Sequence, residues 1–143
     1  MAVHVVRLGS PRLESEGLRI GTVRRPPRGV PREQFAVQNW YDVWYPNLSP
    51  TPETVELGRS AQTDAQRRAF QRRYRKEMNE PDARRSIELL AALSHQTSFS
   101  VGCYCEDESR CHRSVLRELL IEAGANIGAV GEAPVGGRGG QRG

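Results

Sequence analysis

Between Ser98 and Leu120 the chain reads SFSVGCYCEDESRCHRSVLRELL, a stretch holding all three cysteines, Cys103, Cys105 and Cys111, and one of three histidines, His112. Thiols and an imidazole this close in sequence support two chemistries. A thiolate is a nucleophile and a redox centre, and a Cys3His set binds zinc. C-x-C followed by x5-C-H is not the usual zinc-knuckle spacing, and adjacent Cys111 and His112 would both have to turn toward one ion. A third reading makes the cysteines small apolar core residues. All three stay open at the level of sequence.

Local structure suggests which sulfur would react. Phe99, Val101, Cys103 and Cys105 alternate with Ser100, Gly102 and Tyr104, predicting a strand over Ser98–Cys105 with both cysteines on one side. Glu106-Asp107-Glu108-Ser109 then turns the chain. Val115, Leu116, Leu119, Leu120 and Ala123 form a helical stripe ending at Gly124, a C′ glycine. Cys111 and His112 fall in the first turn of that helix, with Asp107 or Ser109 as N-cap. Unsatisfied N–H groups and the helix dipole favour an anion there. The dipole contributes roughly 0.3–2 kcal/mol, which lowers a thiol pKa by about 0.2–1.5. Cys111 is therefore expected as nucleophile or redox thiol and His112 as acid/base. Arg110 and Arg113 reinforce the effect, and the acidic loop opposes it. Cys105-x4-Arg110 is a weak match to phosphate-cradling loops, which need glycines so that N–H groups converge.

The remaining elements must carry this stretch. Strands are predicted near Val3–Leu8, Leu18–Val23 and Tyr41–Tyr45, each closed by glycine or proline. Arg24, Arg25 and Arg28 follow the second strand in a stiff loop with Pro26 and Pro27. They read as a solvated basic loop or as an anion clamp. Large aromatics on both faces of Trp40–Tyr45 predict an interior strand, with Asp42 as an arginine clamp, a strand-end residue or a base orienting the thiol–imidazole pair. Thr51 and Pro52 open a short helix expected to stop at Gly58. A second runs from about Thr63 to Asn79 with Phe70, Tyr74 and Met78 on one face and a mostly basic surface elsewhere. Pro81 opens a third, whose stripe Ala83, Ile87, Leu90 and Ser94, with Leu89, Ala92 and Leu93 beside it, should pack on the sheet. His95 near its end reads as structural.

At 143 residues and a formal charge of +4 the chain fits one basic domain with a core of its own. The charge invites a nucleic-acid partner, although Lys76 is the only lysine and Arg138 and Arg142 sit in the tail. No apolar run is long enough to cross a membrane. MAVHVVRLGSPR lacks the pattern of a secretory signal, and the clustered, odd-numbered cysteines fit a reducing cytoplasm. Residues 1–127 are expected to form the domain, and the glycine-rich segment 128–143 a disordered tail.

GTVRRPPRGVPREQFA, YDVWYPNLSPTPE, FQRRYRKEM and FSVGCYCEDESRCHRSVLRELL, in this order, resemble the domain-of-unknown-function 488 (DUF488) family from about Arg7 to Ala125. The resemblance implies a small α/β domain and a common site of Arg24, Arg25, Arg28, Asp42, Tyr74, Cys103, Cys105, Cys111, His112 and Arg113. It implies no particular reaction. The tryptophan that often precedes the F-x-x-x-Y segment in the family is missing from Asp64-Ala65-Gln66-Arg67, and Asn126-Ile127 leads into glycine where a last strand would continue.

The expectation is thus a single three-layer α/β domain with a mostly parallel sheet flanked by helices. Its site would use Cys111, His112 and Asp42 for chemistry and Arg24, Arg25, Arg28, Arg110 and Arg113 to hold an anionic small molecule or nucleic-acid end. In the alternative, Cys103, Cys105, Cys111 and His112 bind zinc, or the basic surface binds nucleic acid without catalysis.

Overall fold

Alternating apolar residues form the predicted parallel sheet: β1 (Val3–Arg7), β2 (Leu18–Gly21), β3 (Val43–Trp44) and β4 (Phe99–Cys103). The computed structural model describes residues 1–105 and 111–128. The sheet order is β1-β4-β2-β3, and every pairing is parallel. The late strand β4 sits between the two earliest, with Val3 opposite Phe99 on one side and Leu18 opposite Phe99 on the other. Beyond β1, among the described residues, an isolated parallel bridge joins Val3 to Ile127, and residues 129–143, most of the expected tail, lie outside the described residues.

Helices α1 (Pro52–Ser60), α2 (Asp64–Met78), α3 (Pro81–Leu93) and α4 (His112–Glu122) complete the architecture. Their starts follow the sequence signals. Thr51 caps α1 with Pro52 at its first position, Thr63 and Gln66 form a capping box on α2, and Pro81 opens α3. Gly124, at φ +94°, ends α4 as the C′ residue. Tyr74, Met78, Ala83, Ile87, Leu90, Val115, Leu116 and Leu120 pack with Val3, Val5, Ile20, Phe99 and Val101 in one core. Helices α2, α3 and α4 thus cover a single face of the sheet. The opposite face is covered by loops. There Arg19 is fully buried and bonds Glu16 and the carbonyls of Ser10 and Asn39, while Ser100 donates to Glu16.

Three local expectations need correction. The aromatic run does not form an interior strand: β3 has two residues, lies at the sheet edge, and leaves Val43 and Trp44 exposed. Gly58 does not stop α1 but lies inside it, because a Cβ there would stand 2.7 Å from the Phe70 ring and hold α1 away from α2. Leu89, Ala92 and Leu93 of α3 stay in solvent, since the buried side of the helix is formed by Ala83, Ile87, Leu90 and Ala91. His95 Nε2 donates to the Gly124 carbonyl at 2.7 Å, which ties the end of α3 to the end of α4. A carbonyl only accepts, so this nitrogen carries the proton.

Candidate functional site

Three elements converge at the C-terminal ends of the parallel strands, where open α/β sheets place their ligands. β4 ends at Cys103, β2 runs on to Thr22, and the start of α4 brings Cys111 and His112 beneath them. Cys111 occupies the N-cap position itself, in extended conformation, and Asp107 and Ser109, the expected caps, lie outside the described residues. The Cys103 and Cys111 sulfurs lie 2.6 Å apart, both buried, and both thiols are free. His112 Nδ1 stands 3.5 Å from Cys111 Sγ, so the adjacent pair does turn inward together. The potential ligand atoms of Cys103, Cys111 and His112 all fall within 4.8 Å of one another.

The imidazole's state follows from its other nitrogen. Nε2 lies 2.9 Å from the Thr22 carbonyl and therefore carries the hydrogen, leaving Nδ1 bare toward the sulfurs. Burial lowers the His112 pKa to about 4. A neutral ring whose N–H is held by a main-chain carbonyl is poorly placed to shuttle protons and well placed to accept one bond at Nδ1. Tyr74 packs edge-on against this ring, centroids 5.2 Å apart, and donates its buried hydroxyl to the Leu48 carbonyl.

Beyond the end of β4, Cys105 is the exposed sulfur of the three. Hydrogen bonds from Cys103 and then Cys111 hold its pKa far below the ordinary thiol range, against a burial penalty and with help from the Arg113 charge. Cys111 moves the other way. The hydrogen bond from Cys103 favours its thiolate, but its bond to Cys105 and its burial outweigh that and the helix N–H of Arg113, so its pKa rises. Burial also raises Cys103. Burial and the bond to Cys105 thus outweigh the helix terminus at Cys111, and the lowered pKa belongs to the sulfur that water can reach.

Arg113 is 3% exposed and donates through Nη2 to the Cys105 carbonyl at 2.5 Å. Its Nε has no partner and, among the described residues, no carboxylate pairs with it. A buried guanidinium calls for a counter-charge, and its field favours the thiolate of Cys105.

Cys105 opens into a cleft of about 350 Å³ whose walls include Arg24, Arg25, Arg59, Tyr104, Cys103 and His112. The loop after β2 therefore faces the cysteine stretch, as the sequence suggests. Arg24 is fixed by donating Nε and Nη2 to the Ser49 and Pro50 carbonyls. Arg25 is exposed, and its own carbonyl accepts from Tyr104 at 2.8 Å. Arg28 is exposed and does not line the cleft, and Arg113 sits behind the sulfurs. Arg110 lies outside the described residues. Arg59, the penultimate residue of α1, is not among the residues the sequence points to. It shares its wall with Glu56, 3.8 Å away, and no sequence spacing links it to a cysteine more than forty residues on.

Asp42 is drawn elsewhere. Its carboxylate accepts from Arg12 at 2.8 and 3.0 Å and from the Arg19 backbone at 2.8 Å. Despite partial desolvation, those bonds keep its pKa below the usual carboxylate value. It clamps an arginine, and neither Cys111 nor His112 is among its partners.

Comparison with protein families places this arrangement. The family model described as the active DUF488-N3 subclade, DUF488-N3a, matches residues 3–124, and the chain belongs to the DUF488 family. No curated protein and no solved structure matches the chain.

Proposed function

We propose that this DUF488 domain is a thiol-dependent enzyme for phosphate esters, with Cys105 as the nucleophile and Arg24, Arg25 and Arg59 holding the substrate's phosphate. The observation that carries the reading is the position of Cys105. It is the exposed sulfur of a cluster backed by a buried arginine, and it faces a cleft lined by three more. Arginine forks match phosphate oxygens and supply what an acidic, glycine-poor loop cannot. The family description as an active subclade agrees with a catalytic role.

In the proposed step the Cys105 thiolate attacks phosphorus, and a sulfur–phosphorus bond forms as the ester P–O bond breaks. The leaving alkoxide keeps the electron pair and takes a proton from water in the open cleft. A second water then hydrolyses the thiophosphate, releasing phosphate and restoring the thiolate. Cys103 and Cys111 stabilise the thiolate by hydrogen bonding, and Arg113 by charge. His112, neutral and tied to the Thr22 carbonyl, takes no part in proton transfer. The test is an aryl phosphate assay combined with intact-mass analysis of a rapidly quenched reaction. Turnover and a phosphate adduct should both vanish in Cys105→Ser. Turnover that survives that substitution, or the absence of any adduct and turnover in the wild type, overturns the proposal.

One observation favours a second reading. Cys103, Cys111 and His112 bring their ligand atoms within 4.8 Å of one another, Cys105 would complete a Cys3His set, and the Nε2–H bond to Thr22 is the kind of support that orients a metal-bound imidazole. In this reading those residues hold a structural zinc ion. Metal analysis of untagged protein should then find about one equivalent, and chelation should unfold the domain. A metal-free, stable protein removes this reading and leaves the first.

A further inference from the structure

The basic surface of α2 is not uniformly solvated. Two of its arginines are tied to carboxylates, Arg67 to Asp64 at 3.0 Å and Arg75 to Glu118 and Glu122 at 2.9 and 2.8 Å. Arg72 and Lys76 are exposed and have no such partner among the described residues, and Arg73 reaches Glu77 only at 3.9 Å. These three cations line a second cleft of about 840 Å³, together with Arg24. Arg24 and Ser49 therefore stand in the walls of both clefts and join them.

Acidic groups also border this second cleft. Glu77 is engaged by Thr51 and Thr54, its carboxylate accepting from the Thr51 N–H and hydroxyl and from the Thr54 hydroxyl. Glu80 and Asp82 lie at the start of α3. Arg72 and Lys76, on the same helix as Glu77, share this cleft with Arg24.

We infer that this face of α2 is a docking track for single-stranded nucleic acid, which would deliver a terminal phosphate past Arg24 into the Cys105 cleft. Three features favour this occupant. Arg72 and Lys76, four residues apart on one helix, stand about 6 Å apart at their Cβ atoms, a step comparable with that between successive phosphates of an extended strand. The track is continuous with a cleft already suited to a phosphate group. Arg24 is immobilised by two carbonyls that do not neutralise its charge, so its remaining donors and its field serve both clefts. The inference deepens the proposed function by naming its substrate as a nucleic-acid end, and it rests on that reading only for the chemistry at the end of the track.

Fluorescence anisotropy with a single-stranded oligothymidylate of about 12 nucleotides, measured against salt on the full chain, tests it. Four cations on phosphates predict a log–log slope of about −2.8, or a roughly fifty-fold loss of affinity between about 50 and 200 mM salt. The Arg72→Gln/Lys76→Gln variant should show a slope of about −1.4 and a roughly seven-fold loss, with the alkylation rate of Cys105 unchanged. An unaltered slope in that variant overturns the track. So does equal affinity for thymidine monophosphate, or equally effective competition by polyglutamate. Cys105→Ser should bind the oligonucleotide like the wild type. Salt-dependent binding without thiol chemistry would therefore count against the proposed reaction alone, and thiol chemistry without such binding against the track alone.

Discussion

His112 Nε2 donates to the carbonyl of Thr22 at 2.9 Å, joining the start of α4 to the end of β2 across 90 residues of sequence. That bond sets the tautomer, and burial keeps the ring neutral with a pKa of about 4. The unfolded chain takes up this proton near 6.5, while the folded protein resists it until about 4. The contribution to stability is therefore complete above pH 6.5 and is lost as pH falls from 6.5 toward 4, up to roughly 3 kcal/mol. His4, whose pKa burial also lowers, acts in the same direction. Urea unfolding of metal-free wild type and His112→Gln at several pH values should differ by about one proton in slope across this window. Parallel curves would show that His112 is charged in the fold.

Cys103 and Cys111 should control the reactivity of Cys105 without touching the reagent. With the thiolate already formed, the rate of iodoacetamide alkylation should be nearly flat between roughly pH 5.5 and 8. In the Cys103→Ala/Cys111→Ala variant both hydrogen bonds to Cys105 are gone, its pKa rises, and the rate near pH 6 should fall at least about tenfold. Arg113→Met removes only the smallest of the contributions and should leave that rate nearly unchanged. A rate that climbs steeply with pH in the wild type would contradict the assignment of charge to Cys105.

Gly102 lies in the central strand, and a Cβ built there meets the Val6 carbonyl oxygen at 2.6 Å and Leu8 at 2.9 Å. Backbone cannot swing aside as a flexible side chain can. Gly102→Ala should cost roughly 1–3 kcal/mol, measured by chemical denaturation. A cost below about 0.5 kcal/mol, the range of ordinary surface changes, would mean that β1 and β4 slide freely.

The buried Glu16–Arg19 pair should respond to single and double substitution in opposite senses. Arg19→Met strands a carboxylate that also accepts from Ser100 and should cost about 3–5 kcal/mol. Glu16→Gln combined with Arg19→Met should recover much of that loss. If the double variant is no more stable than Arg19→Met, the carbonyl bonds of Arg19 to Ser10 and Asn39 carry the energy instead of the ion pair.

Much of the scaffold was readable from local rules. Thr51-Pro52, Thr63-x-x-Gln66 and Gly124 mark helix ends through their own backbone chemistry, and the Phe99–Val101–Cys103 alternation needs only the pleat. The errors share a different cause. Trp40–Tyr45 looks interior by composition, but its place at the edge depends on β4, more than fifty residues later, taking the position beside β2. The cysteine stretch and the arginine loop that faces it are legible in sequence, and the helix N-terminus points to Cys111, while the structure turns Cys105 to the cleft. The helix N-terminus is a local feature, whereas burial by Tyr74 and Leu8 and the charge of Arg113 are tertiary. Arg59 was missed for the same reason, since only the packing of α1 brings it to the cleft.

The position of β4 has a consequence for synthesis of the chain. β1 and β2 emerge first but never pair with each other, because each is completed by the strand that begins at Phe99. The sheet therefore cannot close until most of the domain has left the ribosome. Until then the apolar edges of Val3–Arg7 and Leu18–Gly21 wait unpaired, which favours late, cooperative folding and transient reliance on chaperones. The thiol cluster cannot assemble any earlier, so it is built only after the rest of the fold is in hand.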